Sequence, residues 1–128
     1  MSFNTEIYAA LIGESTITAL VSADNVYFGH LPDNFSNATD SIVYETRIDE
    51  ALHHIELLNY GDRYNLNIKA VSADDVSIYT IGQAVKDYLK TYETTNVRSV
   101  AFERDTYVYG EEDNIHVLSL DFTIDYCN

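Results

Sequence analysis

The sequence predicts an α+β domain: an antiparallel or mixed β-sheet with a long central helix and N-terminal helices packed on one face. Three observations carry this prediction. Ile78, Ile81, Val85, Leu89 and Tyr92 recur at three- and four-residue spacings, the apolar stripe of an amphipathic helix. On either side of that stripe, Tyr64 to Ala70 and Leu118 to Tyr126 alternate apolar with polar residues, as strands with one buried face do. The chain has 128 residues and is 46% hydrophobic, which fits one domain over residues 1–128 with a core that needs no disulfide or metal. Layering the helices on the apolar face of the sheet is the simplest closed packing of such elements.

The elements follow in order. Ile7, Tyr8 and Leu11 form a short helical stripe that Gly13 interrupts, and Ser15 is placed to cap a further turn or two carrying Ile17, Leu20 and Val21. Val26-Tyr27-Phe28 reads as a short strand ending at Gly29. His30 to Ser41 contains Pro32 and several Asn, Asp and Ser residues, a long loop by its turn chemistry. Loops of about this length inside compact domains tend to be functional or disordered. Ile42 to Ile48 is a strand rich in β-branched and aromatic residues. Ala51 to Leu58 suits a short helix or a strand, with strand favoured, and Tyr60-Gly61-Asp62 makes the turn of a hairpin.

Tyr64 to Ala70 is the next strand. Ser72 or Asp74 then caps a helix from about Asp75 to Tyr92, which Thr94, Thr95 and Asn96 end. Two strands close the chain, Val97 to Tyr109 and Ile115 to Tyr126, joined by the polar turn Gly110 to Asn114. In the last strand Leu118, Leu120, Phe122, Ile124 and Tyr126 face one way, and Ser119, Asp121, Thr123 and Asp125 face the other.

Charge narrows the partners. Seven Lys and Arg against twenty-one Asp and Glu give a formal net charge of −14, and the basic residues are scattered singly. A nucleic-acid binder needs a basic patch to displace phosphate counterions, so tight binding to nucleic acid is not expected. No stretch approaches the roughly 20 apolar residues of a membrane helix, and the first ten residues lack the basic start and long apolar run of a signal peptide. Without such a signal, the sequons at Asn34 and Asn37 are chance matches. Cys127 is the only cysteine, which excludes an intrachain disulfide and a cysteine zinc site. Eleven Tyr and no Trp suit either strand packing or surfaces that close against partners.

Residues for chemistry are sparse. His53 and His54 are adjacent, so on a strand they point to opposite faces, and on a helix they diverge by about 100°. Neither arrangement chelates a metal well. His30 and His116 stand alone. Asp74 with Asp75 suits a helix cap, Glu111 to Asp113 a solvated turn, and Asp121 with Asp125 a polar strand face. No calcium loop, glycine-rich phosphate loop or nucleophile elbow occurs, and Cys127 lacks an electropositive setting. No catalytic, cofactor or metal residue is expected. What remains is an acidic interaction module whose long hairpin is able to pair with a neighbouring chain.

The order of these features resembles the tail terminator (tail-completion) family of long-tailed bacteriophages. Asn25-Val26-Tyr27-Phe28-Gly29-His30-Leu31-Pro32 looks like the short strand and Pro-containing loop that follow the family's first helices. Ser41-Ile42-Val43-Tyr44-Glu45 is similar to its next strand, although the Pro that often precedes that strand is absent here. Tyr64 to Val71 followed by Ser72-Ala73-Asp74-Asp75 resembles its strand-to-helix passage, and Ile81-Gly82-Gln83-Ala84-Val85 to Leu89 the helix after it. Val97 to Tyr109, the acidic turn and His116 to Tyr126 look like its closing hairpin. The resemblance spans nearly the whole chain, and it lies in hydrophobicity and order rather than in a signature motif.

The resemblance implies a virion structural protein made in the cytoplasm of a bacterial host. It implies a homohexameric ring on the head-proximal end of the tail tube, which stops tube polymerisation and forms the joining surface for the head. Its partners would be copies of itself, the tail tube protein and a neck or head-completion protein. Genomic DNA would pass through the lumen without specific binding, and no membrane is involved. No catalytic residues transfer. Contact residues are expected in the loop at His30, Leu31, Pro32, Asp33, Asn34 and Phe35, and in the hairpin at Tyr107, Tyr109, Glu111, Glu112 and Asp113. Asp121 and Asp125 add the polar strand face. Two alternatives remain: a neck or head-completion adaptor in the adjacent layer, and a small cytoplasmic ligand-binding α+β domain.

Overall fold

The computed structural model describes residues 2–33, 39–51, 62–111 and 113–127. Helix α1 (Phe3–Gly13) begins at Ser2, whose hydroxyl accepts from the Thr5 N–H, and α2 (Ser15–Thr18) follows at once. Strand β1 (Val26–Phe28) comes after a single 3-10 turn, then β2 (Ser41–Ala51) and β3 (Asp62–Ser72). Helix α3 (Asp75–Lys90) is followed by β4 (Val97–Gly110) and β5 (Ile115–Tyr126). The five strands form one sheet in the order β1-β2-β3-β5-β4. Only the β1–β2 pair is parallel, which makes the sheet mixed.

The expected α+β architecture is therefore present, with local differences at element ends. Asp74 is the cap of α3, its carboxylate accepting from the Val76 N–H, while Ser72 instead donates to Asp40. The helix ends at Lys90, two residues before Tyr92, although the Tyr92 N–H still bonds the Leu89 carbonyl. Glu14, rather than Ser15, caps α2. Leu20 is exposed because the chain turns away after Thr18, leaving Ile17 and Val21 to enter the core. Strand β2 extends to Ala51, beyond the expected end at Ile48. Most of the ambiguous segment from Ala51 to Leu58, together with Tyr60, Gly61 and the His53-His54 pair, lies outside the described residues.

Cross-strand neighbours share a face of the sheet. Along β3 and β5, Leu66 lies opposite Phe122, Ile68 opposite Leu120 and Ala70 opposite Leu118, and all six are buried. Ile78, Ile81, Val85 and Leu89 of α3 close over them, joined by Phe3, Ile7, Leu11 and Ile17 from α1 and α2. Phe3 stacks on Tyr64 with ring centroids 4.1 Å apart and meets Tyr126 edge-on at 5.1 Å. Beside them the buried Glu6 accepts a hydrogen bond from Thr94 Oγ1 at 2.7 Å, tying α1 to the turn before β4. Burial, followed by the Glu6 carboxylate, pushes the Tyr92 hydroxyl up to about 12.

Gly82 sets how closely α3 approaches the sheet. A Cβ there would lie 2.6 Å from Cδ2 of Leu118 and 3.9 Å from Cδ1 of Leu120. A branched side chain there makes the end of Leu118 give way or moves the helix off the β5 surface. Gly82→Val should therefore cost about 1–3 kcal/mol, the usual penalty for overpacking. Urea unfolding checks this: the midpoint should fall with the slope unchanged. An unaltered midpoint would mean that the helix is free to shift.

Candidate functional site

Among the described residues no helix covers the second face of the sheet, and it is mostly polar. Arg63 and Asp125 pair there at 2.8 Å, and Ser99 donates to the same carboxylate at 3.0 Å. The side-chain amide of Asn67 donates to both Ser119 and Asp121 at 2.7 Å. Arg104 reaches Asp121 from β4 at 3.1 Å, and Lys69 reaches Glu45 at 3.3 Å. The result is a cross-linked polar layer, with a depression between Glu45, Arg47, Asn65, Asn67 and Asp121 that opens to solvent. Asp121 and Asp125 thus occupy the expected polar face, each held by a guanidinium. The hydrogen bond from Arg63 lowers the Asp125 pKa, against a smaller opposing effect of burial, with help from Ser99.

Part of this face is buried. Val43 and Val71 lie on it near the start of β2 and the end of β3, beside the Ser72–Asp40 hydrogen bond at 2.7 Å. Of the loop residues expected to meet partners, His30, Leu31, Pro32 and Asp33 are described, and Asn34 and Phe35 are not. Gly29 starts the loop with a φ of +87°, a conformation that favours glycine, while its N–H bonds the Tyr44 carbonyl at 2.9 Å. His30 is exposed and its Nδ1 lies 3.0 Å from the Leu31 carbonyl.

The closing hairpin projects beyond the core. Asn114 takes a φ of +52° in its turn, a role suited to asparagine, and its side-chain oxygen accepts from the Tyr109 hydroxyl at 2.9 Å. Tyr107 and Tyr109 lie on the helix-side face of β4, 43% and 41% exposed. His116 is not the isolated histidine expected from sequence. Its ring lies 4.5 Å from that of Tyr109, and its Nδ1 hydrogen-bonds the Tyr107 hydroxyl. Tyr79 reaches out from α3 to stack on Tyr107 with centroids 6.2 Å apart. Partial desolvation, then the charge of Asp75 and the neighbouring Tyr79 and Tyr109, raises the Tyr107 pKa. Glu111 and Asp113 flank the tip, and Glu112 lies outside the described residues.

The sequence points to Tyr107 and Tyr109 as hairpin contact residues, and the fold joins Tyr79 and His116 to them, which the sequence does not indicate. In sequence Arg63 and Arg104 also read as isolated basic residues, whereas each sits against a strand-face aspartate. Among the described residues no group of three or more His, Cys, Asp or Glu side chains is placed to hold a metal. Among these residues, too, no helix is long and apolar enough to cross a membrane.

No family model matches the sequence, and no curated protein matches it. Among solved structures, a chain described as "Virion of native gene transfer agent (GTA) particle" superposes with a TM-score of 0.71. The match covers 95% of this chain and 92% of that one at 16% sequence identity. The class is thus an α+β domain with a mixed sheet layered on one side by helices, and its fold is shared over most of its length with a chain of that particle.

The Arg63–Asp125 pair gives a pH test. Asp125 has a folded-state pKa below its ordinary value of 3.8. Its contribution to stability is therefore present above that value and lost as pH falls through the lower folded value. Asp125→Asn should cost about 1 kcal/mol or less at neutral pH, as befits a partly exposed pair. Urea unfolding as a function of pH should show the difference from the parent protein closing on acidification below about pH 4. A difference that is independent of pH would show that the charge of Asp125 contributes nothing.

Proposed function

We propose that this chain is a structural protein of a phage-type virion and, more narrowly, the tail terminator that caps the head-proximal end of the tail tube. The observation that carries the reading is the superposition over nearly the full length of both chains with a virion component. The order of sequence segments that resembles the terminator family narrows it from virion protein to this layer. In this reading the chain forms a homohexameric ring, ends tube polymerisation, and offers the head a joining surface.

The molecule has the properties such a role asks for. A sheet with one open polar face and a projecting hairpin presents broad surfaces on a rigid core. Recognition commonly sits on loops held by such a scaffold, so the His30–Asp33 segment and the Tyr107–Asp113 hairpin are the contact regions for tube or neck protein. The depression between Glu45, Arg47, Asn65, Asn67 and Asp121 opens to solvent, whereas a small-molecule site encloses most of its ligand. This favours an assembly role over the ligand-binding alternative. The net charge of −14 also suits a channel for DNA, because a negative lumen repels phosphates and discourages sticking during ejection. The neck adaptor would share most of these properties; the segment order favours the terminator.

The same charge opposes assembly, since every copy in a ring repels the others. Salt or divalent cations should therefore favour the ring through screening. Sedimentation velocity of the purified protein should show a shift from monomer toward hexamer as salt or magnesium is raised. Tighter association at low salt without cations would contradict the reading.

A further inference from the structure

The β4 edge of the sheet divides into two unlike halves. From Val97 to Asp105 the strand carries Arg98, Glu103, Arg104 and Asp105, and its register with β5 shifts between Val97 and Ser99 and again between Phe102 and Arg104. Charges and bulges of this kind are how sheet edges avoid pairing with other chains. From Thr106 to Gly110 both devices are missing. This half is uncharged and rich in β-forming residues, and among the described residues it pairs with β5 in unbroken register on one side only. Its side chains are open on both faces: Tyr107 and Tyr109 on the helix side, and Val108 at 55% exposure on the other.

The surroundings are specific in charge. Tyr79 of α3 extends the aromatic surface of Tyr107 and is itself 52% exposed, next to Val76 at 68%. Asp75 acts on Tyr107, Asp105 shares its face two residues away, and Glu111 and Asp113 flank the far end. The β4 cations are committed elsewhere: Arg104 pairs with Asp121 on the opposite face, and Arg98 lies against Cys127 at the other end of the strand. Lys86 of α3 lies over the Phe102 ring. Aromatic faces with an acidic rim attract cationic side chains.

We infer that the Thr106–Gly110 edge accepts an added β-strand from a partner protein, an extended segment in which basic residues alternate with apolar ones. Backbone hydrogen bonds to the free edge would supply binding. Basic side chains over Tyr79, Tyr107 and Tyr109 would supply selectivity, as in other cases of strand addition. A second copy of this chain is the poorer occupant, because it too carries −14 and its basic residues are dispersed. The proposal does not depend on the ring: it concerns one edge of one protomer, and hexamer formation is read by a different measurement.

The test uses the full chain and three fluorescent peptides about ten residues long. One alternates lysine with valine, the second alternates glutamate with valine, and the third is the lysine peptide with alternate backbone nitrogens methylated. Anisotropy should show binding of the first alone. Amide shifts in the unmodified protein should cluster at residues 104–111. Tyr107→Lys with Tyr109→Lys should weaken binding at least about tenfold, an affinity loss of about 1.4 kcal/mol, while Tyr8→Lys, whose parent ring lies against Tyr44 of β2 and away from the β4 edge, should leave it unchanged. Should the double variant fail to fold, the shift map of the parent protein decides. No binding by the lysine peptide, equal binding by its methylated form, or shifts elsewhere would overturn the proposal. A concentration-dependent dimer abolished by the double variant would overturn it in favour of self-pairing.

Discussion

The register of β3 against β5 is the constraint on which the rest of the molecule depends. It runs from Asp62 opposite Tyr126 to Ser72 opposite His116 with no interruption. Because side chains alternate, a slip of β3 by one residue would turn Leu66 and Ile68 into water and bring Asn67 and Lys69 under the helices. Burying those polar groups without their partners would cost far more than a single contact returns. The hydrophobic pattern therefore selects one alignment, and that alignment fixes the positions of both flanking strands. It also creates the flat surface against which Gly82 lets α3 settle.

The two faces created by this register differ in what they offer. The helix side is closed by apolar packing from α1 to α3. The open side is cross-linked by ion pairs and amide hydrogen bonds, with Arg63, Asn67 and Arg104 committed to carboxylates and hydroxyls of β5. Such partly exposed pairs add little stability individually, but they hold the face in one arrangement. A preorganised polar surface loses less entropy on docking than a mobile one. The hairpin carries the helix-side face past the end of the core, and so it leaves tyrosines exposed that would otherwise be covered.

Much of this architecture was legible because it rests on local periodicity. The stripe from Ile78 to Leu89 and the alternation from Leu118 to Tyr126 are repeated signals, and turn chemistry bounded most elements. The details that escaped depend on contacts between distant segments. Nothing near Arg63 indicates that Asp125 lies across the ladder from it, and nothing near His116 announces Tyr107 and Tyr109. Tyr79 is one more aromatic residue in a helix until the hairpin is placed beside it. Leu20 fits the core stripe in sequence, yet the end of α2 turns it outward. The apolar spacing of α3 continues to Tyr92, whose hydroxyl reaches Glu6, although the helix has already stopped at Lys90.

The central claim, that this fold works as a capping ring on a virion tail tube, is most directly tested by electron microscopy of the purified protein mixed with its cognate tail tubes under screening salt. Sixfold rings with a central hole are expected, bound at one end of each tube, with tubes that no longer elongate when more tube protein is added. Tubes with bare ends that continue to grow, with no rings in any salt condition, would contradict it.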